Sequence, residues 1–159
     1  MREWLTDYSK GDRLHAYWRL FRWRNRTRSK LWRNVLTFWL NRMAHRHGGY
    51  IGNGAVLKGQ PFLPHGLHGI YISRYATIGE DCRIYQNVTI GEVNRVAPVI
   101  GDHCLIGAGA VIVGGVHIGN HVKIGAGAVV HSDVPDYATV VAPSPRVLLK
   151  GALPDVQGE

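Results

Sequence analysis

Two histidines in a glycine-rich break, Pro64-His65-Gly66-Leu67-His68-Gly69-Ile70, are the side chains of this sequence best suited to moving a proton. Imidazole titrates near neutrality, so it can take a proton from a hydroxyl and return it to a departing group. An unassisted alcohol is a poor nucleophile at neutral pH, and any transfer onto a hydroxyl needs such a base. The bland alternative is a pair of solvated loop histidines. A second break, Glu92 to Val99, offers Glu92, Asn94 and Arg95, with Gln86 just upstream. These polar residues could shape an acceptor pocket, although each is equally at home in a solvated turn. Two Ile-Gly-Ala-Gly-Ala runs begin at 106 and 124. Their Gly107, Ala108, Gly109 and Gly125, Ala126, Gly127 have almost no side-chain bulk, so a long thin ligand could lie against backbone amides there. Gly-Ala is also simply an economical way to turn a corner. Beyond the strip, Lys123, Arg146 and Lys150 could meet phosphates, or be ordinary surface charges.

The element that must position these residues is written in a six-residue beat. Ile51, Leu57 and Leu63 start it, Ile72, Ile78, Ile84 and Ile90 continue it, and Ile100, Ile106, Ile112, Ile118, Ile124 and Val130 complete it. A short fixed period means a solenoid, whose repeats bury their apolar faces only by stacking on one another. Three hexads per coil predict a parallel β-helix of a little over four coils, with glycine repeatedly following the beat residue where the chain turns. The beat breaks only between Leu63 and Ile72 and between Ile90 and Ile100, in the two loops that carry the polar residues. Counted in threes, the loops leave from different edges of the prism. Cys82 and Cys104 share the slot filled elsewhere by residues such as Ala76, Val88 and Ala110, and read as small core residues rather than redox or metal groups. His103, His117, His121 and His131 are spaced irregularly and read as exterior side chains, with no zinc site expected.

The N-terminal segment differs in kind. The chain carries a net +8, yet residues 1–47 alone hold twelve Lys and Arg against three acids, and all five tryptophans. Leu14, Tyr17, Trp18 and Phe21, then Trp32, Val35, Trp39 and Met43, have helical spacing, which predicts one bent or two short helices over residues 10–47 stopped by Gly48-Gly49. An anionic bilayer suits such a segment, and so does packing on the prism end or on another subunit; nucleic acid is the less favoured polyanion. No run is long and apolar enough for a transmembrane helix and no secretory signal is evident, so a cytoplasmic location is expected, with peripheral contact at the inner face of the membrane as the variant. Residues 1–49 thus form a basic, Trp-rich helical segment, 50–133 the β-helix, and 134–159, with four prolines, a C-terminal cap or irregular tail.

The strings Ile-Gly-Glu-Asp-Cys-Arg-Ile at 78–84, Ile-Gly-Ala-Gly-Ala-Val-Ile at 106–112 and Ile-Gly-Ala-Gly-Ala-Val-Val at 124–130 resemble the bacterial hexapeptide-repeat acyltransferases. Tyr85-Gln86-Asn87-Val88-Thr89-Ile90-Gly91, followed by Pro98-Val99-Ile100-Gly101, is most similar to their serine acetyltransferase branch, which includes many sugar and capsule O-acetyltransferases. The resemblance covers roughly residues 50–148 and implies a left-handed prism, a homotrimer with active sites between subunits, acetyl-CoA as donor and no metal. It also implies a catalytic histidine three residues before a Gly-Ile/Val-Val string. Here Gly69-Ile70-Tyr71-Ile72 is preceded by His65 at four residues and His68 at one, so His65 is the favoured base and His68 the alternative. The Gly-Ala strip would take the pantetheine arm. Two departures matter. Pro64 stands where the serine enzymes have an Asp that orients the ring, and Val96 and Ala97 stand where they have Arg-His contacting the amino acid. The expected function is therefore acetyl transfer to a hydroxyl of either serine or a sugar or polysaccharide precursor. The alternative is a non-catalytic β-helix scaffold that recruits a membrane or polyanionic partner through its basic helices.

Overall fold

The computed structural model describes residues 14–146. Two helices come first, α1 (His15–Arg26) and α2 (Lys30–Arg46). They are separated because Thr27 is extended, and Ser29 caps the second helix by accepting a hydrogen bond from the Trp32 amide. Tyr17, Trp18 and Phe21 of α1 and Leu40 and Ala44 of α2 join one continuous core with the first coil of the β-helix.

Each face of the triangular prism is a parallel ladder of very short strands. The first face stacks β1 (Tyr50–Ile51), β3 (Tyr71–Ile72), β6 (Thr89–Gly91), β9 (Val111–Val113) and β12 (Val129–Val130). The second stacks β2 (Val56–Leu57), β4 (Thr77–Ile78), β7 (Val99–Ile100) and β10 (His117–Ile118). The third stacks β5 (Arg83–Ile84), β8 (Leu105–Ile106), β11 (Lys123–Ile124) and β13 (Thr139–Val140). Tyr71 pairs with Thr89, and Val111 with Val129, so a plain coil is 18 residues long. Tyr50 pairs with Tyr71 and Thr89 with Val111, so the two coils that contain the breaks hold three and four residues more.

The beat residues are the core. From Ile72 to Val130 every one is at most 3% exposed, while Leu57 in the first coil is only partly buried. Burying such a side chain is worth about 1.5–3 kcal/mol, and each needs the coil above and the coil below to do it. Cys82 and Cys104 are free and buried, as their slot implies, and their thiols donate to the carbonyls of Gly101 (3.2 Å) and Gly119 (3.1 Å).

The second-to-third edge corrects one expectation. His103 and His121 do repeat with the coil: they are one plain coil apart, and their rings stack at 4.8 Å, with Tyr137 continuing the stack at 4.8 Å beyond His121. All three, with Asp81, have positive φ, because this is the corner position where the turn demands a left-handed residue. Comparing each histidine only with the next one along the chain hid the period. Beside this stack runs a second one, in which the side chains of Asp102, Asn120 and Asp136 accept from the backbone amides of Glu80, Asp102 and Asn120. The pairing also runs past the end of the beat: Val134 bridges Ile118, and β13 pairs with β11. Residues 141–146 hold no strand.

Candidate functional site

The third-to-first edge gathers most of the candidate residues. There the chain turns through Leu67–Ile70, Tyr85–Val88, Gly107–Ala110 and Gly125–Ala128, one turn per coil. The turns are laced by backbone bonds from Asn87 N to His68 O (2.9 Å), Gly109 N to Gln86 O (3.0 Å) and Gly127 N to Ala108 O (2.9 Å). His68, Gln86, Ala108 and Ala126 therefore form a single column. Phe62 bridges Arg83 in the preceding strand position, so the residues added to the first coil are Pro64, His65 and Gly66. His65 stands on that insertion, exposed, with its ring 6.1 Å from that of Tyr85. His68 lies in the column itself, partly buried, its ring 5.1 Å from His47 and perpendicular to it.

The end of α2 holds this loop. Gly48 takes a left-handed φ of 63°, the amides of Gly48 and Gly49 return to the carbonyls of His45 and Ala44, and the helix stops. The chain then crosses directly to the histidine loop: Gly69 N donates to His47 O (3.1 Å) and Tyr50 N to Ile70 O (2.8 Å). Gly69 has a φ of 65°, the left-handed region that favours glycine, and a Cβ there would also oblige the Asn87 side chain to move.

Below the histidines the column becomes bare. The glycines of the two Gly-Ala runs divide into two kinds. A Cβ on Gly107 would meet the backbone of the next coil, 2.6 Å from Ala126 N, whereas a Cβ on Gly109 or Gly127 would have nothing within 4 Å. The inner glycines let the coils stack, and the outer ones leave an open, side-chain-free ledge. Gln86 lies between this ledge and His68, and its Oε1 is buried with no hydrogen-bond partner, an acceptor that folding alone does not explain. Lys123 is exposed on the third face next to the ledge, and Arg146 is exposed past β13. Lys150 lies outside the described residues.

The second break sits elsewhere, on the first-to-second edge. Val93 and Val96 exchange two backbone bonds (2.9 and 3.0 Å), and Asn94 and Arg95 between them both have positive φ, 53° and 66°. This is a two-residue hairpin of the primed type, which explains Asn at its first central position. Ser73 Oγ hydrogen-bonds the Glu92 carboxylate, and Ala97 is buried. Within one chain the structure thus unites His65, His68, Gln86 and the Gly-Ala ledge, and leaves Glu92, Asn94 and Arg95 on another edge. Sequence reasoning passed over Tyr85 and His47. Tyr85 lies inside the quoted motif, but nothing local signals that a helix end brings His47 to His68. Among the described residues no group of three or more metal-ligating side chains occurs.

Residues 97–132 match the family described as bacterial transferase hexapeptide (six repeats). A serine acetyltransferase of Staphylococcus aureus is 38% identical over 92 residues, covering 55% of this chain and 43% of that protein. The serine acetyltransferase of Neisseria gonorrhoeae, solved in complex with serine, superposes with a TM-score of 0.71 at 35% identity, over 80% of this chain and 53% of that one. Serine acetyltransferase isoform 3 of Entamoeba histolytica, solved with cysteine, gives a TM-score of 0.66 at 32% identity, over 74% and 43%. The chain spans less than half the length of the curated relatives it matches. Its repeats form a left-handed hexapeptide β-helix, and the chain is similar to the serine acetyltransferases in sequence and in fold.

Proposed function

We propose that the chain is an acetyl-CoA-dependent O-acetyltransferase acting on a small hydroxyl-bearing acceptor. The observation that carries this reading is the third-to-first edge, where a histidine loop caps a column that continues through Gln86 into the Gly-Ala ledge. The ledge fits a pantetheine arm, because Gly109 and Gly127 leave open space along a strip without side-chain bulk. Lys123 and Arg146, with Lys150 beyond the described residues, are the cations proposed for the CoA phosphates. The bound donor supplies an activated acetyl group. His65 accepts the acceptor's hydroxyl proton and passes it to the departing thiolate, with His68 the alternative base. Backbone amides near the Gly-Ala strip stabilise the developing oxyanion.

Serine is the acceptor favoured by the relatives. A sugar hydroxyl is favoured by the second break, where Val96 belongs to a hairpin stem and Ala97 is buried, so neither brings a charged group to read an amino acid. We further propose a homotrimer, in which a neighbour's 92–96 hairpin lies against the histidine edge and brings Glu92, Asn94 and Arg95 to the acceptor. His65→Ala should lower turnover by about 10²–10⁴-fold, the usual worth of a general base, while calorimetric titration still shows CoA binding. Turnover near wild type would remove His65 from this role, and failure of the wild type to bind CoA would favour a scaffold.

A further inference from the structure

The outer side of α2 also carries apolar side chains. Leu36, Leu40 and Ala44 face the core, while Leu31, Val35 and Phe38, at helical spacing, form a stripe on the opposite side, with Trp32 and Trp39 beside them. Leu31 is 71% exposed and Phe38 64%. Trp32 also stacks on exposed Trp23 of α1 (5.9 Å), and Phe38 meets Trp39 edge to face (5.9 Å), so the patch extends across both helices. A contiguous apolar surface of this kind on a folded protein marks a place where something docks.

The charge around it says what. From His15 to Arg46 there are nine Lys and Arg and no Asp or Glu, and no acid occurs anywhere between residues 14 and 79. A second copy laid helix pair to helix pair on this surface would bring nine more cations against the first nine, with no carboxylate from either helix pair to neutralise them. A nucleic acid would satisfy the charge but leave Leu31 and Val35 against water or phosphate. The Trp23 and Trp32 rings, already stacked on one another, are poorly placed to receive bases. An anionic bilayer satisfies both halves of the surface at once: arginines and lysine meet headgroup phosphates while tryptophan, phenylalanine and leucine enter the boundary of the acyl region.

We propose that the α1–α2 pair is a peripheral docking surface for an anionic membrane, lying in the interface rather than crossing it. No helix among the described residues is long and apolar enough to span a bilayer. The proposal stands independently of the acetyl-transfer chemistry.

The test is co-sedimentation of the full chain with vesicles of phosphatidylcholine alone and of phosphatidylcholine mixed with phosphatidylglycerol. Binding should require phosphatidylglycerol and weaken at least roughly tenfold in about 0.5 M NaCl, where screening is nearly complete. Arg28→Glu with Lys30→Glu, two exposed positions, should weaken it by roughly tenfold or more, since each cation near such a surface is worth about fivefold in affinity. Trp32→Ser with Trp39→Ser should also release the protein, with far-ultraviolet circular dichroism checking that the helices remain. The charge-reversal pair keeps the test decisive if the tryptophan variant misfolds. Absence of vesicle binding by the wild type, or equal binding to neutral vesicles, overturns the proposal. So does binding to duplex DNA without vesicle binding, or an oligomer that the stripe variant dissociates while vesicles are ignored.

Discussion

Gly107 and Gly109 occupy the same Ile-Gly-Ala-Gly-Ala run, and replacing each by alanine should have opposite consequences. At Gly107 the new methyl would lie 2.6 Å from Ala126 N, 2.8 Å from Gly125 C and 2.9 Å from Ile124 O. All three are backbone atoms of the next coil, so no side chain can swing aside. The coils must separate by several tenths of an ångström where Gly107 N now bonds Ile124 O at 2.7 Å. Overpacking of this kind costs about 1–3 kcal/mol, and the strained ladder bond places Gly107→Ala toward the upper end. In a chain of 159 residues that corresponds to a fall of roughly 5–10 °C in Tm. Gly109→Ala meets no atom within 4 Å, and its cost is the left-handed φ of 69°, about 1–2 kcal/mol, partly offset by about 0.4–1 kcal/mol from a stiffer unfolded chain. Its Tm should fall by only about 2–4 °C. The same methyl stands on the open ledge, however, and should raise the KM for acetyl-CoA. Thermal unfolding followed by circular dichroism, with steady-state kinetics on both variants, separates the two effects. A Gly107→Ala protein as stable as Gly109→Ala would refute the division of the run into packing and ledge positions.

Two further outcomes follow from the core. Ile106 is fully buried between Ile84 and Ile124 in register, so Ile106→Ala should cost about 2–5 kcal/mol in urea unfolding, and a loss below about 1 kcal/mol would contradict the stacked-coil packing. Cys104 should resist alkylation by iodoacetamide in the native protein, because its hydrogen-bonded neighbour Cys82 and its own burial push the thiol well above the ordinary range. Its labelling should rise steeply only on denaturation, and rapid labelling of the native chain would show that the slot is not core.

The solenoid was legible because inward side chains recur at each strand, and isoleucine or a close substitute fills nearly all of those positions. The two helices were legible from apolar spacing, though not the break at Thr27 to Ser29, which depends on one residue leaving helical geometry. Placing the breaks on separate edges needed only counting. What the hexads did not disclose lies at the corners. His103, His121 and Tyr137 stack because positive φ and coil spacing align them, a relation visible only when residues one coil apart are compared. Asn94 and Arg95 looked like polar loop residues, yet their left-handed backbone makes them first of all the turn of a hairpin. His47 reaches the histidine loop only because Gly48 ends α2 beside Gly69, a contact between segments that no local pattern announces.

The most direct test is a crystal structure of the protein with CoA. The pantetheine arm should run along residues 107–109 and 125–127 of the third-to-first edge, with its thiol directed at the loop from Pro64 to His68. CoA seated on either of the other two edges, or lying with its thiol away from both histidines, would contradict the assignment of this edge as the catalytic one.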